Sequence, residues 1–254
     1  MKVTFLGTGT SQGIPVIGSR HPVCLSEDPR DKRLRSSVLL QWKDKAYTID
    51  CGPDFRQQIL CTGIERLDGV LFTHFHADHT AGLDDIRPFS HRQGEVQFYA
   101  DTSVIENIQE RFAYIFAKAN RYVSAPRVAL NEISYLPFTL GDRTVIPIKV
   151  MHGAHPIFGF RIGDFAYITD AKSLDEKEQE KLKGLKVLVV NALRKEPHPT
   201  HFNLEEALEF IGSIGPEKAY LTHISHQLGF HREVSEELPP GVFLAYDGLE
   251  LQLD

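Results

Sequence analysis

Val70-Leu71-Phe72-Thr73-His74-Phe75-His76-Ala77-Asp78-His79-Thr80-Ala81-Gly82 is the stretch that decides the fold of this chain. Val70 to Phe72 is an apolar, β-favouring run that predicts a buried strand, and three histidines and an aspartate follow it between positions 74 and 79. In extended backbone, residues i and i+2 point to the same side, so His74 and His76 can reach one metal ion together. Asp78 and His79 come next, where the chain is expected to turn into a short helix, and could face a second ion beside the first. Neutral imidazoles and a carboxylate are the ligand set of zinc and similar divalent ions, and packing alone gives no reason to crowd them here. The competing reading is a polar loop that happens to hold three histidines.

Composition bounds the rest. The chain has 254 residues, 42% of them apolar, enough for a sizeable core in one large domain. Its formal charge of −6 argues against a protein that holds long nucleic acid by its phosphates. No run approaches the roughly 18 apolar residues of a membrane span, and Met1-Lys2-Val3-Thr4-Phe5-Leu6-Gly7 is too short in its apolar part to read as a secretory signal and is expected to be a first strand. Cys24, Cys51 and Cys61 are an odd, widely spaced set that suits a reduced cytoplasmic protein better than a disulfide framework.

Along the chain, residues 3–6 predict a strand that runs into the glycine-rich loop Gly7-Thr8-Gly9-Thr10-Ser11-Gln12-Gly13. That loop lacks the lysine of a P-loop, so it reads either as the lining of a metal cleft or as plain loop. The basic run at 29–35 reads as a solvated surface loop, with a phosphate contact as the alternative. Strands are expected at 37–42 and 46–50, joined by a hairpin turn, then at 70–73 and 96–99, with a helix at 102–118. In the second half they are expected at 133–136, 144–150, 158–162, 166–169, 187–190 and 219–222. Helices are expected at 174–182 and 204–211, and a closing hairpin at 242–246 and 249–253. Strands interrupted by helices in two comparable halves predict two packed sheets with helices outside, in a single domain over 1–254.

Four ligands on one loop do not complete a two-metal site, so others must come from distant strand ends. Val150-Met151-His152 ends an apolar strand in a histidine, Tyr167-Ile168-Thr169-Asp170 ends one in a carboxylate, and Tyr220-Leu221-Thr222-His223 ends another in a histidine. Function concentrates at such strand-end loops on a rigid scaffold. His155 lies close to His152 and is a competing ligand or a substrate contact.

His74-Phe75-His76-Ala77-Asp78-His79 followed by His152, Asp170 and His223 resembles the metallo-β-lactamase superfamily over essentially the whole chain. The resemblance implies an α+β fold, a four-layer αββα sandwich with a two-metal cleft between its halves. The opening Gly7–Gly13 loop, Thr222-His223-Ile224-Ser225-His226-Gln227 and Tyr246-Asp247-Gly248 resemble the branch that includes the phosphoribosyl 1,2-cyclic phosphate phosphodiesterase of the carbon–phosphorus lyase pathway. By that resemblance His74, His76 and His152 hold one ion, and Asp78, His79 and His223 the other. Asp170 bridges them, and His201 serves the leaving group. The branch also carries a structural zinc on three cysteines and a histidine. Here the matching positions read Ser19, His21, Cys24 and His226, so a third metal through His21, Cys24 and His226 is expected against a hydrogen-bonded loop as the alternative.

The expected function is therefore that of a metal-dependent hydrolase acting on a small cyclic phosphodiester. Two divalent ions, zinc or else manganese, would lower the pKa of a shared water and clamp the phosphoryl oxygens, with Asp78 and His201 in the catalytic set. The expected partner is a small-molecule phosphodiester, with neither long nucleic acid nor membrane; a homodimer is open. The alternatives are a tRNA 3′-processing nuclease, a thiolester or β-lactam hydrolase, and a metal-binding module without turnover.

Overall fold

The computed structural model describes residues 1–117 and 122–253. Apolar alternation and β-branched runs set fourteen strands: β1 (Lys2–Gly7), β2 (Ser37–Trp42), β3 (Lys45–Ile49), β4 (Gly69–Leu71), β5 (Val96–Ala100), β6 (Val128–Glu132), β7 (Phe138–Leu140), β8 (Arg143–His152), β9 (His155–Ile162), β10 (Phe165–Tyr167), β11 (Val187–Asn191), β12 (Lys218–Thr222), β13 (Val242–Leu244) and β14 (Glu250–Gln252). They form two seven-stranded sheets, ordered β14-β1-β2-β3-β4-β5-β6 and β13-β12-β11-β10-β9-β8-β7. Each sheet is mixed. β3 to β6 and β10 to β13 run parallel, and the remaining pairs are antiparallel.

Three buried clusters show how the layers close. Phe5, Leu40, Ile49, Phe158, Phe160 and Val189 are packed between the two sheets. Phe55, Leu67, Phe72 and Ile108 pack helices onto the outer face of the first sheet, and Ile148, Leu188, Phe210 and Leu221 do the same for the second. The result is the expected four-layer αββα sandwich. Parallel strands buried on both faces by this arrangement read as continuous apolar runs, which is why β4 and β11 were legible.

Four expectations need correcting. The segment 242–253 is not a hairpin: β13 pairs with β12 in the second sheet, and β14 pairs with β1 in the first. The chain crosses the sandwich at Ala245–Gly248, so the C-terminus completes the N-terminal sheet. The strand expected at 133–136 lies at Val128–Glu132, because parallel pairing with β5 takes those residues and only the Ile133 N–H still reaches Ala100. The helix expected at 102–118 runs over Thr102–Arg111 and breaks at Phe112 (φ −117, ψ 38) before a turn at Ala113–Phe116; its expected last residue, Lys118, lies outside the described residues.

The fourth correction concerns the basic run. Arg33 is not solvated but fully buried. Its Nη1 donates to Thr8 Oγ1 (2.7 Å) and the Ala245 carbonyl (2.6 Å), and Nη2 lies 3.1 Å from His231 Nδ1. Asp247 accepts from Thr8 Oγ1 and the Leu34 N–H, and Asp31 accepts from the His231 N–H. Arg33 thus ties the glycine-rich loop to the crossing segment and to the helix at His231–Glu237.

Candidate metal centre

The functional side chains stand on loops at one edge of the two sheets. β4 runs into the 74–79 stretch, β8 ends in His152, and His223 follows β12 directly; β10 leads to Asp170 through a short extended segment. Tight backbone packing fixes the first loop. The Cys51 N–H donates to the His79 carbonyl (2.8 Å) and the Gly82 N–H to the Cys51 carbonyl (2.9 Å). A Cβ on Gly52 would sit 2.1 Å from the Asp78 carbonyl oxygen and one on Gly82 2.0 Å from that of Gly52, so only glycine allows the two segments to touch. Asp50 (φ 64), Asp170 (φ 57) and His223 (φ 53) adopt left-handed backbone without being glycine, a conformation that costs free energy and collects at functional sites.

The seven expected ligands converge. His74, His76 and His152 bring one donor atom each within 4.8 Å of one another, and Asp78, His79, Asp170 and His223 do the same. His152, Asp170 and His201 form a third, overlapping group. Asp170 belongs to both of the last two, and His152 to both the first and the third.

Second contacts aim the rings. His79 Nδ1 meets Asp50 Oδ2 at 2.6 Å, His74 Nδ1 meets Thr73 Oγ1 at 3.0 Å, and His152 Nδ1 meets the Thr200 carbonyl at 2.9 Å. Each leaves Nε2 for the cleft, the arrangement typical of metal-bound histidine. Thr10 Oγ1, from the glycine-rich loop, lies 3.2 Å from His223 Nε2, so that loop lines the cleft.

Burial alone would lower the pKa of His79, but Asp78, Asp50 and Asp170 outweigh it and hold the ring well above its ordinary value. Burial, and then the neighbouring His79 charge, push His74 down; burial takes His223 down to about 4 despite Asp170. Asp170 stays well below the carboxylate range because His223 and His79 overcome its burial. His74 and His223 are thus pushed toward the neutral form, while His79 is held protonated among Asp78, Asp50 and Asp170, a proton that a divalent cation would replace. His79 Nε2 is buried and makes no hydrogen bond, although Asp78 Oδ2 lies 3.1 Å and Asp170 Oδ2 3.3 Å away. An orphaned imidazole nitrogen facing two carboxylates fits a divalent cation.

His201 Nε2 lies 3.0 Å from Asp170 Oδ1, inside the cleft, while its Nδ1 contacts Thr200 Oγ1 (2.9 Å) and His198 Nδ1 (3.0 Å). His155 pairs across the turn with His152 but points to the exposed lip, so it joins no donor group among the described residues. At the expected third site the His21 and His226 rings meet edge to face at 4.9 Å, and His226 Nδ1 is buried without a hydrogen bond. Cys24 Sγ instead accepts from the Val16 N–H, and the three donors do not gather within 4.8 Å among the described residues.

The sequence reading missed Asp50, Thr73 and the Thr200 carbonyl. Asp50 carried a usable signal, since Tyr47-Thr48-Ile49-Asp50 ends an apolar strand in a carboxylate just as Tyr167-Ile168-Thr169-Asp170 does.

Residues 46–224 match the family model described as the beta-lactamase superfamily domain. A solved structure described as a new diphosphatase from the PhnP family superposes with a TM-score of 0.93 at 40% identity, over 98% of this chain and 96% of that one. An octanoyltransferase of Porphyromonas gingivalis is 44% identical over 258 residues, covering 100% of this chain and 52% of that protein. Ribonuclease Z of Methanococcus maripaludis is 27% identical over 200 residues, 77% of this chain and 57% of that protein. The chain spans about half the length of these curated relatives. It belongs to the β-lactamase superfamily, with the metallo-β-lactamase fold, and within it to the PhnP family.

Proposed function

From that membership we propose that this metallo-β-lactamase-fold hydrolase is a dinuclear phosphodiesterase acting on small cyclic phosphodiesters of the phosphoribosyl cyclic phosphate kind. The observation that carries the reading is the convergence of seven donors into two groups, with Asp170 in the second and, beside His152 and His201, in a third that overlaps the first. His74, His76 and His152 would hold one ion, Asp78, His79 and His223 the other, and Asp170 would stand between. Zinc suits the histidine-rich set, and manganese is accepted by the same donors. Divalent ions bound there supply Lewis acidity toward the phosphoryl oxygens and lower the pKa of water. A third, structural zinc would draw on His21, Cys24 and His226.

The chain's own residues do the rest. Asp50, Thr73 and the Thr200 carbonyl hold three imidazoles in one tautomer and orientation, so the cleft is organised before substrate arrives. His201 is held at Nδ1 and presents Nε2 beside Asp170, where it can keep a proton for the departing alkoxide. His201→Ala is expected to lose about a hundredfold in turnover of an alkyl diester, and far less with a p-nitrophenyl leaving group, while retaining its metal. Equal loss on both substrates would remove His201 from that role.

The test of the whole reading is turnover of bis(p-nitrophenyl) phosphate and ribose 1,2-cyclic phosphate by zinc-loaded protein, with metal counted per chain. Two equivalents correspond to the cleft alone, and a third that disappears in Cys24→Ser would belong to the His21–Cys24–His226 site. The likeness to ribonuclease Z favours one further reading, a tRNA 3′-processing nuclease, which cleavage of a tRNA precursor would reveal. The likeness to an octanoyltransferase makes an octanoyl thiolester the right control substrate.

A further inference from the structure

We infer that His198 is a positioning residue for His201: through its Nδ1 it holds the His201 ring in the one tautomer and orientation that leaves Nε2 to serve the leaving group. This rests on the phosphodiesterase reading and adds to it a side chain one ring removed from the cleft.

His198 lies in Glu196-Pro197-His198-Pro199-Thr200-His201, between two prolines. A proline fixes its own φ and steers the residue before it to extended backbone, so His198 has little freedom to lose when it is set in place. Arg194 braces the same segment: its Nη2 donates to the Pro197 carbonyl (2.8 Å) and its Nη1 to Gln227 Oε1 (3.1 Å). Thr200 then turns the chain back on His198. Its N–H donates to His198 Nδ1 (3.3 Å), while its carbonyl lies against His152 Nδ1 (2.9 Å). One short segment thus sets both His152 and the ring of His201.

The directions of these hydrogen bonds follow from one fixed donor. A backbone N–H can only donate, so His198 Nδ1, which the Thr200 N–H faces, carries no proton. His201 Nδ1 lies 3.0 Å from that same nitrogen, and two bare ring nitrogens at that distance would repel. His201 Nδ1 therefore carries the proton, and His198 Nδ1 accepts it. Thr200 Oγ1, 2.9 Å from His201 Nδ1 and 3.3 Å from His198 Nδ1, fits the same sense, accepting from the first and donating to the second. Burial lowers the pKa of His198, and His201 and Arg194 lower it further, which keeps the ring neutral and an acceptor. With Nδ1–H committed, Nε2, 3.0 Å from Asp170 Oδ1, is the ring atom left to give a proton to the departing alkoxide. The ring that remains is the neutral Nδ1–H tautomer, already bonded to His198. Without His198 only the Thr200 hydroxyl would face Nδ1, and a hydroxyl donates or accepts, so it selects no tautomer.

The test compares zinc-loaded wild type with His198→Asn, His198→Leu and His201→Ala. Asparagine sets an amide oxygen near the place of the histidine Nδ1 and accepts as it does, whereas leucine fills the space without accepting. His198→Leu should lose about tenfold in turnover of ribose 1,2-cyclic phosphate but little with bis(p-nitrophenyl) phosphate, whose leaving group needs no proton, and should keep its metal. His198→Asn should recover most of that loss. Adding His198→Leu to His201→Ala should cost nothing more, since the first acts only through the second. Long-range proton–nitrogen NMR correlations of isotope-labelled protein should place the His201 proton on Nδ1 and the His198 proton on Nε2. A bare Nδ1 on His201, equal activity of the asparagine and leucine variants, or an equal loss on both substrates would overturn the assignment. If the protein with two metals bound cleaves neither substrate, the phosphodiesterase reading falls and the role of His198 falls with it. Cleavage of both, with His198→Leu equal to wild type, sinks the His198 assignment alone.

Discussion

Two buried polar clusters sit close together in this molecule and are built on opposite principles. In the cleft, histidines and carboxylates converge with too few internal partners, leaving His79 Nε2 buried without a hydrogen bond between Asp78 and Asp170. Around Arg33, donors and acceptors close on one another: Thr8, Ala245, His231 and Asp247 account for the guanidinium and its counter-charge. Burial lowers the pKa of Arg33 to about 10 against the pull of Asp247 and Asp31, so it stays a cation at neutral pH. An unsatisfied cluster is poised to take something from outside, whereas a satisfied one holds the chain together. Satisfaction, more than burial or charge, separates the functional site from the structural one.

That distinction can be broken by mutation. The largest effect is expected at Asp170→Asn, which removes the carboxylate common to two donor groups: turnover of bis(p-nitrophenyl) phosphate should fall about a thousandfold, with bound metal reduced in elemental analysis. Unchanged turnover would mean the cleft is not the reaction centre. Arg33→Met should do the reverse, costing about 3 kcal/mol in urea unfolding by leaving the Ala245 carbonyl without its donor and the buried Asp247 without its nearby positive charge, with two metals still bound in the folded protein. If Arg33→Met instead emptied the cleft at full stability, the two clusters would have to be treated as one.

Asp50→Asn sharpens the comparison, because Asp50 touches no substrate and acts through His79. Chelator competition should show metal held about 10- to 100-fold more weakly, with the fold intact. The smallest effect concerns pH. His231 is lowered to about 4, first by burial and then by the Arg33 charge beside it, with Arg30 adding and Asp28 and Asp31 opposing. Its folded value lies below the unfolded value of about 6.5, so its contribution is present above pH 6.5 and is lost as pH falls through 4. The melting temperature of wild type should therefore drop more than that of His231→Gln between pH 7 and pH 4; parallel curves would show that His231 titrates normally in the fold.

The metal loop was legible because its spacing acts locally. His74 and His76 share a face of extended chain, and the apolar strand before them announces the layer they leave. His152, Asp170 and His223 were legible for the same reason, each closing an apolar strand. Asp50 carried an equal signal that went unread. Arg33 carried none: within 29–35 it is one cation among several, and the atoms that bury it lie at Thr8, His231 and Ala245, up to 212 residues away. The same gap in information misassigned 242–253. Two short β-favouring runs around Asp247-Gly248 match a hairpin as well as they match a crossing, and only the open edges at β1 and β12 choose between them.

By itself, then, the sequence determined the layer pattern, the candidate metal donors and the strand ends that carry them, since each follows from short-range periodicity and side-chain chemistry. Tertiary structure alone decided which carboxylate orients His79, which arginine is buried and which sheet receives the last strand. Those depend on pairings between segments far apart in the chain, and the preference of a buried charge or an open sheet edge for a partner appears only once the partner is beside it.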